Sequence, residues 1–565
     1  MHDVTVEHNV AATMRDGTVL RADVYRPIPG GPWPVLLTRL PYGKHLPGPM
    51  RMAIDPLGMA RGGYIVVVQD TRGRFTSGGE WEPCTFEADD GYDTVRWAAA
   101  LPGSSGVVGM FGASYFGNTA WMAALSKPPE LKAIAPAITW SEPEDGLFSR
   151  GGVLELGTAV PWSLLQGADT LLRRHADDPA AIGEAMAGLV ADIDALATTA
   201  YWELPADHHP AFARHQIPEL GFERSRRDPD WSASCRVAGR QSEIDLPTLH
   251  IGGWYDIFSQ GTLDNFTAMR SAGRPATLIM GPWAHTNTSG YLGDVNFGLA
   301  ASADLLGFRG SLTDIQNGWF RQWLAPHTAA DENGSPPTAL PPVLLFTMGT
   351  NQWREEQEWP LSRAVETEFF LRADGGLAVE PPAAAEGIDT YRYDPTDPVL
   401  TTGGATFMSN EFPPGPLDQA RIESRPDVLV YTTEPMTQDL EVTGRIRAVL
   451  HVATDAPSTD WVVRVCDVDP TGTSRNIVDG IVRSVARPDE FTTQQVDLWS
   501  TSHFFRTGHR IRVHVTSSSF PRWARNLNTG EPVEDGTHTR IAQQQIAHDA
   551  VRPSRIILPV IPQGS

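Results

Sequence analysis

The hydrophobic pattern in the first quarter of the chain alternates between two periods. Short apolar runs rich in β-branched residues are typical of strands buried on both faces of a parallel sheet. Such runs occupy 34–38, 64–69, 107–111 and 131–138. Apolar positions at helical spacing lie between them, at 52–61, 89–101 and 117–125. Strands that alternate with helices in this order predict a doubly wound, parallel α/β sheet.

The pattern changes after residue 141 and changes back after residue 240. Between these points two long helices are predicted, at 160–174 and 180–197, and no strand is. We interpret this segment as a helical insertion that covers the sheet as a cap. The sheet pattern then returns with strands at 247–251 and 276–280 and a helix at 258–272.

Beyond residue 350 the apolar and polar positions alternate with a period of two. Ile511, Val513 and Val515, for example, alternate with Arg510, Arg512 and His514. This alternation predicts half-buried antiparallel strands, and their number and turns favour a jelly roll. The predicted division is an α/β core at 1–141 and 241–350, a helical cap at 142–240 and an all-β jelly-roll domain at 351–565.

Composition and charge narrow the class of protein. Of 565 residues, 41% are hydrophobic and 20% are charged, which is typical of a folded chain. The formal net charge of −23 disfavours binding to nucleic acid or to anionic lipid. No apolar run reaches the roughly 18 residues that a membrane helix needs. The first residues lack a basic segment followed by an apolar one, so we expect no signal peptide.

The cysteines indicate a reducing, cytoplasmic location. Cys84, Cys235 and Cys466 are an odd and widely spaced set, which predicts neither a disulfide framework nor a cysteine metal site. The neighbouring pair His208 and His209, next to Asp207, is interpreted as a solvated loop rather than a metal site. We therefore expect no metal and no cofactor.

The most informative motif surrounds Ser114. The predicted strand at 107–111 runs into a serine flanked by small residues, and a helix follows at once. This strand–turn–helix context is the nucleophile elbow of hydrolases, where a sharp turn lifts the serine oxygen above the sheet. Phe116 stands where the strict pattern has its second glycine, and Gly117 comes one position later. The alternative is a structural serine in a glycine-rich turn.

Two further residues complete a candidate catalytic triad. Asp256 follows the predicted strand at 247–251, and His285 follows the strand at 276–280. The order serine, acid, histidine is that of this class of hydrolases, and all three loops leave the carboxyl edge of the sheet. The histidine would act as general base, and the aspartate would orient its imidazole. Alternatively, Asp256 caps the following helix and His285 is a hydrogen-bonded loop residue.

Catalysis by such a triad also requires donors for the oxyanion of the tetrahedral intermediate. The backbone N–H of Tyr115, directly after the nucleophile, is the expected first donor. The loop after the strand at 34–38 should supply the second, and there Tyr42 offers a phenolic O–H. The alternative for Tyr42 is a packed aromatic residue without a role in catalysis.

Taken together, these motifs resemble the CocE/NonD hydrolase family, the bacterial cocaine-esterase-like enzymes related to X-prolyl dipeptidyl peptidases. The matching motifs are Arg15-Asp16-Gly17, Leu40-Pro41-Tyr42-Gly43-Lys44, Gln69-Asp70-Thr71-Arg72-Gly73, Gly112-Ala113-Ser114-Tyr115-Phe116-Gly117, Gly253-Trp254-Tyr255-Asp256, Gly281-Pro282-Trp283-Ala284-His285, Asp479-Gly480-Ile481-Val482-Arg483 and Ser517-Ser518-Ser519-Phe520-Pro521. The resemblance spans nearly the whole chain.

The resemblance implies an α/β-hydrolase core, a helical cap insertion and a C-terminal jelly roll. It implies that Ser114, Asp256 and His285 are the triad, and that the Tyr42 hydroxyl and the Tyr115 amide form the oxyanion hole. The family's form of the serine motif also accounts for Phe116.

The resemblance further implies an aromatic acyl pocket. Trp162 from the cap, Phe258 from the core and Phe407 from the jelly roll match this pocket, although they could also be ordinary core residues. The expected activity is therefore hydrolysis of small-molecule carboxylic esters with an apolar or aromatic acyl group. The segment 45–52 and most of the insertion depart from the family pattern.

Two other functions compete with the esterase prediction. An X-Pro dipeptidyl aminopeptidase or α-amino acid ester hydrolase needs carboxylates that hold the substrate ammonium. Glu142, Glu144 and Asp145 are the acids that could serve. A catalytically inactive binding protein that uses its jelly roll is the alternative of a different class. Members of the family often form dimers, so the resemblance implies that a second copy of this chain is a possible partner in a homodimer.

Overall fold

The computed structural model describes residues 2–46, 55–325, 340–384, 387–408, 410–485, 487–532 and 535–562. Up to residue 356 its strands are β1 (Asp3–Thr13), β2 (Val19–Ile28), β3 (Trp33–Leu40), β4 (Ile65–Asp70), β5 (Ser104–Ala113), β6 (Leu131–Ala137), β7 (Ser149–Arg150), β8 (Val153–Leu154), β9 (Thr248–Tyr255), β10 (Ala276–Ala284), β11 (Tyr291–Leu292), β12 (Val295–Asn296), β13 (Val343–Thr347) and β14 (Gln352–Glu356).

Ten of these strands form one sheet in the order β1-β2-β4-β3-β5-β6-β9-β10-β13-β14. The strands from β4 to β13 in this order are parallel, while β1, β2 and β14 pair antiparallel at the two edges. Leu37, Val67 and Met110 are fully buried within the sheet, because helices cover both of its faces. The predicted α/β sheet is confirmed.

Each predicted core strand overlaps an observed one, and all but the strand predicted at 131–138 extend further toward their carboxyl ends than predicted. The strand predicted at 247–251 continues through Tyr255, and the strand predicted at 276–280 continues through Ala284. Glycine and tryptophan at these positions carry no strand pattern of their own. Their backbones stay in the sheet because β9 and β10 pair in parallel register over this stretch.

The helices are α1 (Pro56–Arg61), α2 (Glu87–Ala99), α3 (Tyr115–Ser126), α4 (Leu156–Arg174), α5 (Pro179–Asp194), α6 (Pro210–His215), α7 (Arg224–Arg227), α8 (Pro229–Ser232), α9 (Ser259–Ser271), α10 (Leu312–Leu324) and α11 (Ala420–Glu423). Residues 52–54 of the first predicted helix lie outside the described residues. None of the helices in the described part of the chain combines the length and the apolar content that a membrane crossing requires.

Helices α4 to α8 form the segment predicted as a helical insertion. Leu156, Val160 and Leu164 on α4 are buried, because this helix packs its apolar side over the carboxyl edge of the sheet. The prediction that the insertion holds no strand is wrong, since β7 and β8 form a short antiparallel hairpin. Two-residue strands are too short to produce an alternating pattern in the sequence.

The remaining strands form two antiparallel sheets. They are β15 (Val365–Leu371), β16 (Leu377–Ala378), β17 (Ile388–Tyr393), β18 (Leu429–Thr432), β19 (Leu440–Thr454), β20 (Ser458–Val468), β21 (Ser474–Val485), β22 (Thr492–Phe505), β23 (Arg510–Thr516), β24 (Ala542–Ala547) and β25 (Arg555–Ile561). One sheet has the order β16-β15-β25-β19-β24-β17 with β22 beside β19, and the other is β18-β23-β20-β21. The predicted all-β domain is confirmed.

Alternation along β23 departs from the sequence pattern at one position. Ile511, Val513 and Val515 are buried as expected, but His514 on the opposite face is buried as well. Glu423 on α11 covers that face, and its carboxylate lies 2.9 Å from His514 Nε2. A periodic pattern does not reveal such a cover, because α11 comes from a distant part of the chain.

The jelly roll is joined directly to the core and the cap. The backbone of Met348 after β13 bonds to Ser502 and Phe504 on β22, with N–O distances of 3.0 and 2.9 Å. Trp523 donates its indole N–H to Glu155 at the start of α4 over 2.8 Å. The jelly roll therefore supports the edge of the sheet where the candidate catalytic loops lie.

Candidate active site

Ser114 occupies a strained turn between β5 and α3. Its backbone has φ 56° and ψ −127°, a conformation that residues with a side chain rarely adopt. Four hydrogen bonds hold it there. The Ser114 N–H donates to the carbonyls of Ala137 and Ile138 at 3.0 and 3.1 Å, and its own carbonyl accepts from Gly117 and Asn118 at 3.0 and 3.1 Å. The serine oxygen is thus lifted above the carboxyl edge of the sheet.

Two glycines make room for this turn. A Cβ atom at position 112 would lie 2.4 Å from the Phe116 carbonyl oxygen, and one at position 117 would lie 3.0 Å from the Ala137 carbonyl oxygen. Gly117, rather than position 116, faces strand β6, so the second glycine is needed one position later than in the strict motif. Phe116 instead packs into the core.

The structure brings Ser114, His285 and Asp256 together. His285 Nε2 lies 3.0 Å from Ser114 Oγ, and His285 Nδ1 lies 2.7 Å from Asp256 Oδ2. His285 and Asp256 are 4% and 0% exposed. The other carboxylate oxygen, Asp256 Oδ1, accepts from the Phe258 N–H at 2.7 Å. Asp256 Oδ1 therefore accepts from the backbone before the following helix, as the capping alternative predicted, and Asp256 Oδ2 contacts the imidazole.

Two of the expected pocket aromatics contact the imidazole. The ring centroids of Phe258 and Phe407 lie 5.4 and 5.1 Å from that of His285, both with edge-on geometry. Trp162 lies further along, with its ring 6.1 Å from that of Tyr115. Trp140, which was not predicted, packs 5.3 Å from Phe258. Aromatic rings therefore pack against the His285 imidazole and the Tyr115 ring.

Both expected oxyanion donors lie beside Ser114. Tyr115 is the first residue of α3, so its backbone N–H has no acceptor within the helix. The Tyr42 phenol contacts the side chains of Trp162 and Ser114. Burial raises the pKa of the Tyr42 phenol above its usual value, which keeps this group in its protonated, donating form.

The side chain of Tyr115 is anchored by a buried network that sequence reasoning missed. Its hydroxyl donates to Glu87 Oε1 at 2.9 Å and accepts from the Cys84 N–H at 2.8 Å. Arg39 in turn donates to Glu87 Oε2 at 2.9 Å. Burial raises the pKa of the Glu87 carboxyl, although the Arg39 charge opposes this change. The network fixes the residue whose amide faces the nucleophile.

The acids suggested for binding an ammonium group have other partners. Glu142 accepts from Arg236 at 2.9 Å, and Asp145 accepts from the Trp499 indole at 3.2 Å. Glu144 lies 3.5 Å from the Ser149 hydroxyl. Burial raises the pKa of the Glu144 and Asp145 carboxyls. These contacts hold all three side chains within the cap and its contact with the jelly roll.

The interpretation of 207–209 as a solvated loop is wrong for two of its three residues. Asp207 and His209 are buried, and His209 Nε2 donates to the Ala200 carbonyl over 2.9 Å. Asp207 forms an ion pair with Arg226. The sequence shows only that these residues are polar or charged, whereas in the folded cap Asp207 and His209 have buried partners.

The described residues include one grouping of possible metal ligands, Glu423, Cys466 and His514 in the jelly roll. Arg512 donates to Glu423 at 2.6 Å, so a guanidinium already balances the carboxylate charge. The nearby positive charge disfavours a metal ion, and we assign no metal to this grouping.

Comparison with known proteins agrees with this architecture. Residues 16–287 match the model of the X-Pro dipeptidyl-peptidase (S15) family, and residues 335–557 match the C-terminal non-catalytic domain of X-Pro dipeptidyl-peptidase. The chain is 35% identical to a cocaine esterase from Rhodococcus sp. (strain MB1 Bresler), over 99% of both proteins.

Solved structures with the same fold cover almost the whole chain. An aminopeptidase from a marine sediment archaeon, Thaumarchaeota archaeon, has a TM-score of 0.77 and 25% identity, over 99% of this chain and 97% of that one. An α-amino acid ester hydrolase has a TM-score of 0.75 and 24% identity with the same coverage.

The α/β-hydrolase core with its appended all-β domain, together with these relatives, defines the protein as a serine hydrolase of the carboxylesterase type. The chain belongs to the CocE/NonD family, the cocaine-esterase-like hydrolases related to X-Pro dipeptidyl peptidases.

Replacing Gly112 by alanine tests the turn. The added Cβ must displace the Phe116 carbonyl, which opens the turn and moves Ser114 away from His285. Since a displacement of about 1 Å can cost about 100-fold in rate, we expect kcat for an ester substrate to fall by at least about tenfold. Steady-state kinetics and thermal unfolding of the variant measure both effects.

Gly318→Ala on α10 is the matched control, because a Cβ atom there meets nothing within 4 Å. This control should retain the kcat of the parent protein. Equal kcat values for Gly112→Ala and the parent would show that the close approach does not determine the position of the nucleophile.

Proposed function

We propose that this protein hydrolyses carboxylic esters with apolar or aromatic acyl groups, with Ser114, His285 and Asp256 as its catalytic triad. The observation that carries the proposal is the position of the His285 imidazole. It lies 3.0 Å from the Ser114 hydroxyl on one side and 2.7 Å from the Asp256 carboxylate on the other. These distances suit proton transfer from the serine and orientation of the imidazole by the acid.

Acylation begins when Ser114 Oγ attacks the ester carbonyl carbon and His285 Nε2 takes the hydroxyl proton. Asp256 accepts from His285 Nδ1–H, which leaves the Nε2 lone pair facing the serine. Negative charge develops on the carbonyl oxygen. The Tyr42 hydroxyl and the Tyr115 backbone N–H are the proposed donors to this oxyanion.

The tetrahedral intermediate then collapses. The bond to the alcohol oxygen breaks, and the proton on His285 passes to the leaving alkoxide, which departs as an alcohol. The acyl group remains on Ser114 as an ester. A water molecule repeats the sequence, with His285 as base, and releases a carboxylic acid and the free serine.

The proposed acyl pocket is lined by Trp162, Phe258 and Phe407. Support comes from the edge contacts of Phe258 and Phe407 with His285 and from the burial of Trp162 in the same aromatic cluster. Rings of this kind bind flat apolar groups through area burial and edge-to-face contacts. The similarity to a cocaine esterase also favours an ester substrate.

The aminopeptidase and α-amino acid ester hydrolase alternative has weaker support. The structures that suggest it are no more than 25% identical to this chain. The acids that would hold a substrate ammonium, Glu142, Glu144 and Asp145, have partners within the cap or on the jelly roll. The inactive binding protein is disfavoured by the short distances between the three triad residues.

We also propose the domain division 1–141 and 241–350 for the core, 142–240 for the cap and 351–565 for the jelly roll, with one adjustment. Strand β14 pairs with β13 in the core sheet, so the last boundary belongs after Glu356. Three buried, unpaired cysteines favour a cytoplasmic location. Family resemblance alone favours a homodimer.

Removing the phenol of Tyr42 tests the oxyanion hole. Tyr42→Phe keeps the ring but deletes the donor, so we expect kcat for an aryl ester to fall by about 100- to 1,000-fold with KM little changed. Tyr64→Phe is the matched control, because this buried phenol donates to the Asn317 carbonyl at 2.8 Å, at the opposite edge of the sheet. An unchanged kcat for Tyr42→Phe would remove this residue from the mechanism.

A substrate panel separates the ester and peptide functions. Benzoyl, acetyl and short-chain acyl esters should be hydrolysed, with benzoyl esters favoured by the aromatic pocket, and Ala-Pro and Gly-Pro anilides should not. Ser114→Ala should abolish turnover of every substrate without changing the thermal unfolding temperature by more than a few degrees. Hydrolysis of the anilides without hydrolysis of aryl esters would overturn the esterase proposal.

A further inference from the structure

Arg74 is a fully buried arginine next to the candidate oxyanion hole. It is 1% exposed, and its guanidinium has fixed partners on two elements. Arg74 Nε donates to the Pro41 carbonyl at 2.9 Å. Its Nη1 and Nη2 donate to the backbone carbonyl and side-chain oxygen of Gln166 on α4, at 3.2 and 2.9 Å. Asp169, also on α4, is the nearest carboxylate, at 3.4 Å.

Burying this charge is unfavourable unless its neighbours compensate for lost water. Burial lowers the pKa of Arg74 to about 10, and the Asp169 charge opposes this change. The guanidinium also stacks over the Trp81 ring, 4.2 Å from its centroid. Hydrogen bonds, an ion pair and a cation–π contact thus fix one side chain in a place where water is excluded.

The Pro41 carbonyl is the peptide group that leads into Tyr42. On the far side of Tyr42, the Lys44 N–H and ammonium donate to the two carboxylate oxygens of Asp70, each at 2.8 Å. The loop that carries the phenol is therefore bound on both sides, by Asp70 at the end of β4 and by Arg74 in the loop that follows it. Arg74 supplies the attachment that lies directly before Tyr42.

The same guanidinium fixes the cap beside the phenol. Gln166 lies one helical turn after Trp162 on α4, and Trp162 contacts the Tyr42 phenol. Asp169 adds a second tie, because its carboxylate accepts from the Phe75 N–H at 3.1 Å. Arg74 therefore determines the relative position of the Tyr42 backbone and the helix against which the Tyr42 side chain rests.

The charge of Arg74 also acts on the phenol. Burial raises the pKa of the Tyr42 hydroxyl, while contacts with Trp162 and Ser114 and the nearby Arg74 charge lower it. A phenol with a positive charge behind it is a stronger donor to a developing oxyanion than an isolated one.

We propose that Arg74 is a positioning residue for ester hydrolysis, which holds the Tyr42 phenol at the oxyanion position by tying its loop to cap helix α4. The inference rests on the proposed function, since it requires Tyr42 to act as an oxyanion donor. Arg74 itself contacts neither the substrate nor the reacting atoms.

A double-mutant cycle between Arg74 and Tyr42 tests this role. The four proteins are the parent, Arg74→Met, Tyr42→Phe and the double variant, each assayed for kcat and KM with an aryl ester. Arg74→Met should lower kcat by about 10- to 100-fold in the parent and change KM by less than about threefold. In the Tyr42→Phe background the same change should cost less than about threefold, because the donor that Arg74 positions is already gone.

Arg464→Met, a fully buried arginine in the jelly roll, is the matched control. It should lower the thermal unfolding temperature, but it should not change kcat of either the parent or the Tyr42→Phe protein. Arg74→Lys is the variant to measure if Arg74→Met does not fold. It keeps the charge but loses the forked geometry, so kcat should still fall at least about fivefold, and only when Tyr42 is present.

Equal losses of kcat in both backgrounds, or a rise in KM with unchanged kcat, would overturn the role of Arg74. Full activity of Arg74→Lys in a folded protein would overturn it as well. The proposed function fails in a different way, because a parent protein that hydrolyses no aryl ester would contradict it before any variant is compared.

Discussion

The backbone turn at Ser114 is the constraint on which the rest of the site depends. A residue with a side chain sits at φ 56°, held by four backbone hydrogen bonds and by two glycines that leave no room for a Cβ atom. This turn aims the serine oxygen at the carboxyl edge of the sheet. The loops after β9 and β10 leave the sheet at the same edge, so Asp256 and His285 arrive within hydrogen-bonding distance without further adjustment.

The cap and the jelly roll determine the positions of residues at the carboxyl edge of the sheet, in addition to covering it. Gln260, on the first turn of the helix that follows Asp256, accepts from the backbone and hydroxyl of Ser500 on β22, at 3.0 and 2.9 Å. The jelly roll thus holds the helix that follows Asp256 in place. It also supplies Phe407, which lies beside the His285 imidazole. The cap supplies Trp162 and receives the Arg74 guanidinium. The proposed pocket and the candidate triad therefore depend on the same contacts between the three regions.

Much of the fold was predictable from the sequence, because buried parallel strands and half-buried antiparallel strands have different periods. The convergence of Ser114, Asp256 and His285 could also be predicted from the sequence, since chain order and the positions of the strand ends determine which loops meet. Side-chain contacts between distant segments could not be predicted from the sequence. Arg74 and Gln166 are separated by 92 positions, and no local pattern links them. The burial of His514, Asp207 and His209 was missed for the same reason, because a polar residue is covered only when a remote element packs over it.

Mapping the site of a serine-directed fluorophosphonate by peptide mass spectrometry tests the central claim, that Ser114 is activated by His285, most directly. The account predicts a single phosphonyl group on the peptide that contains Ser114. It also predicts that His285→Ala slows this labelling by at least about 100-fold, because the general base is lost. Labelling at another residue, or an unchanged rate in the folded His285→Ala protein, would contradict the account.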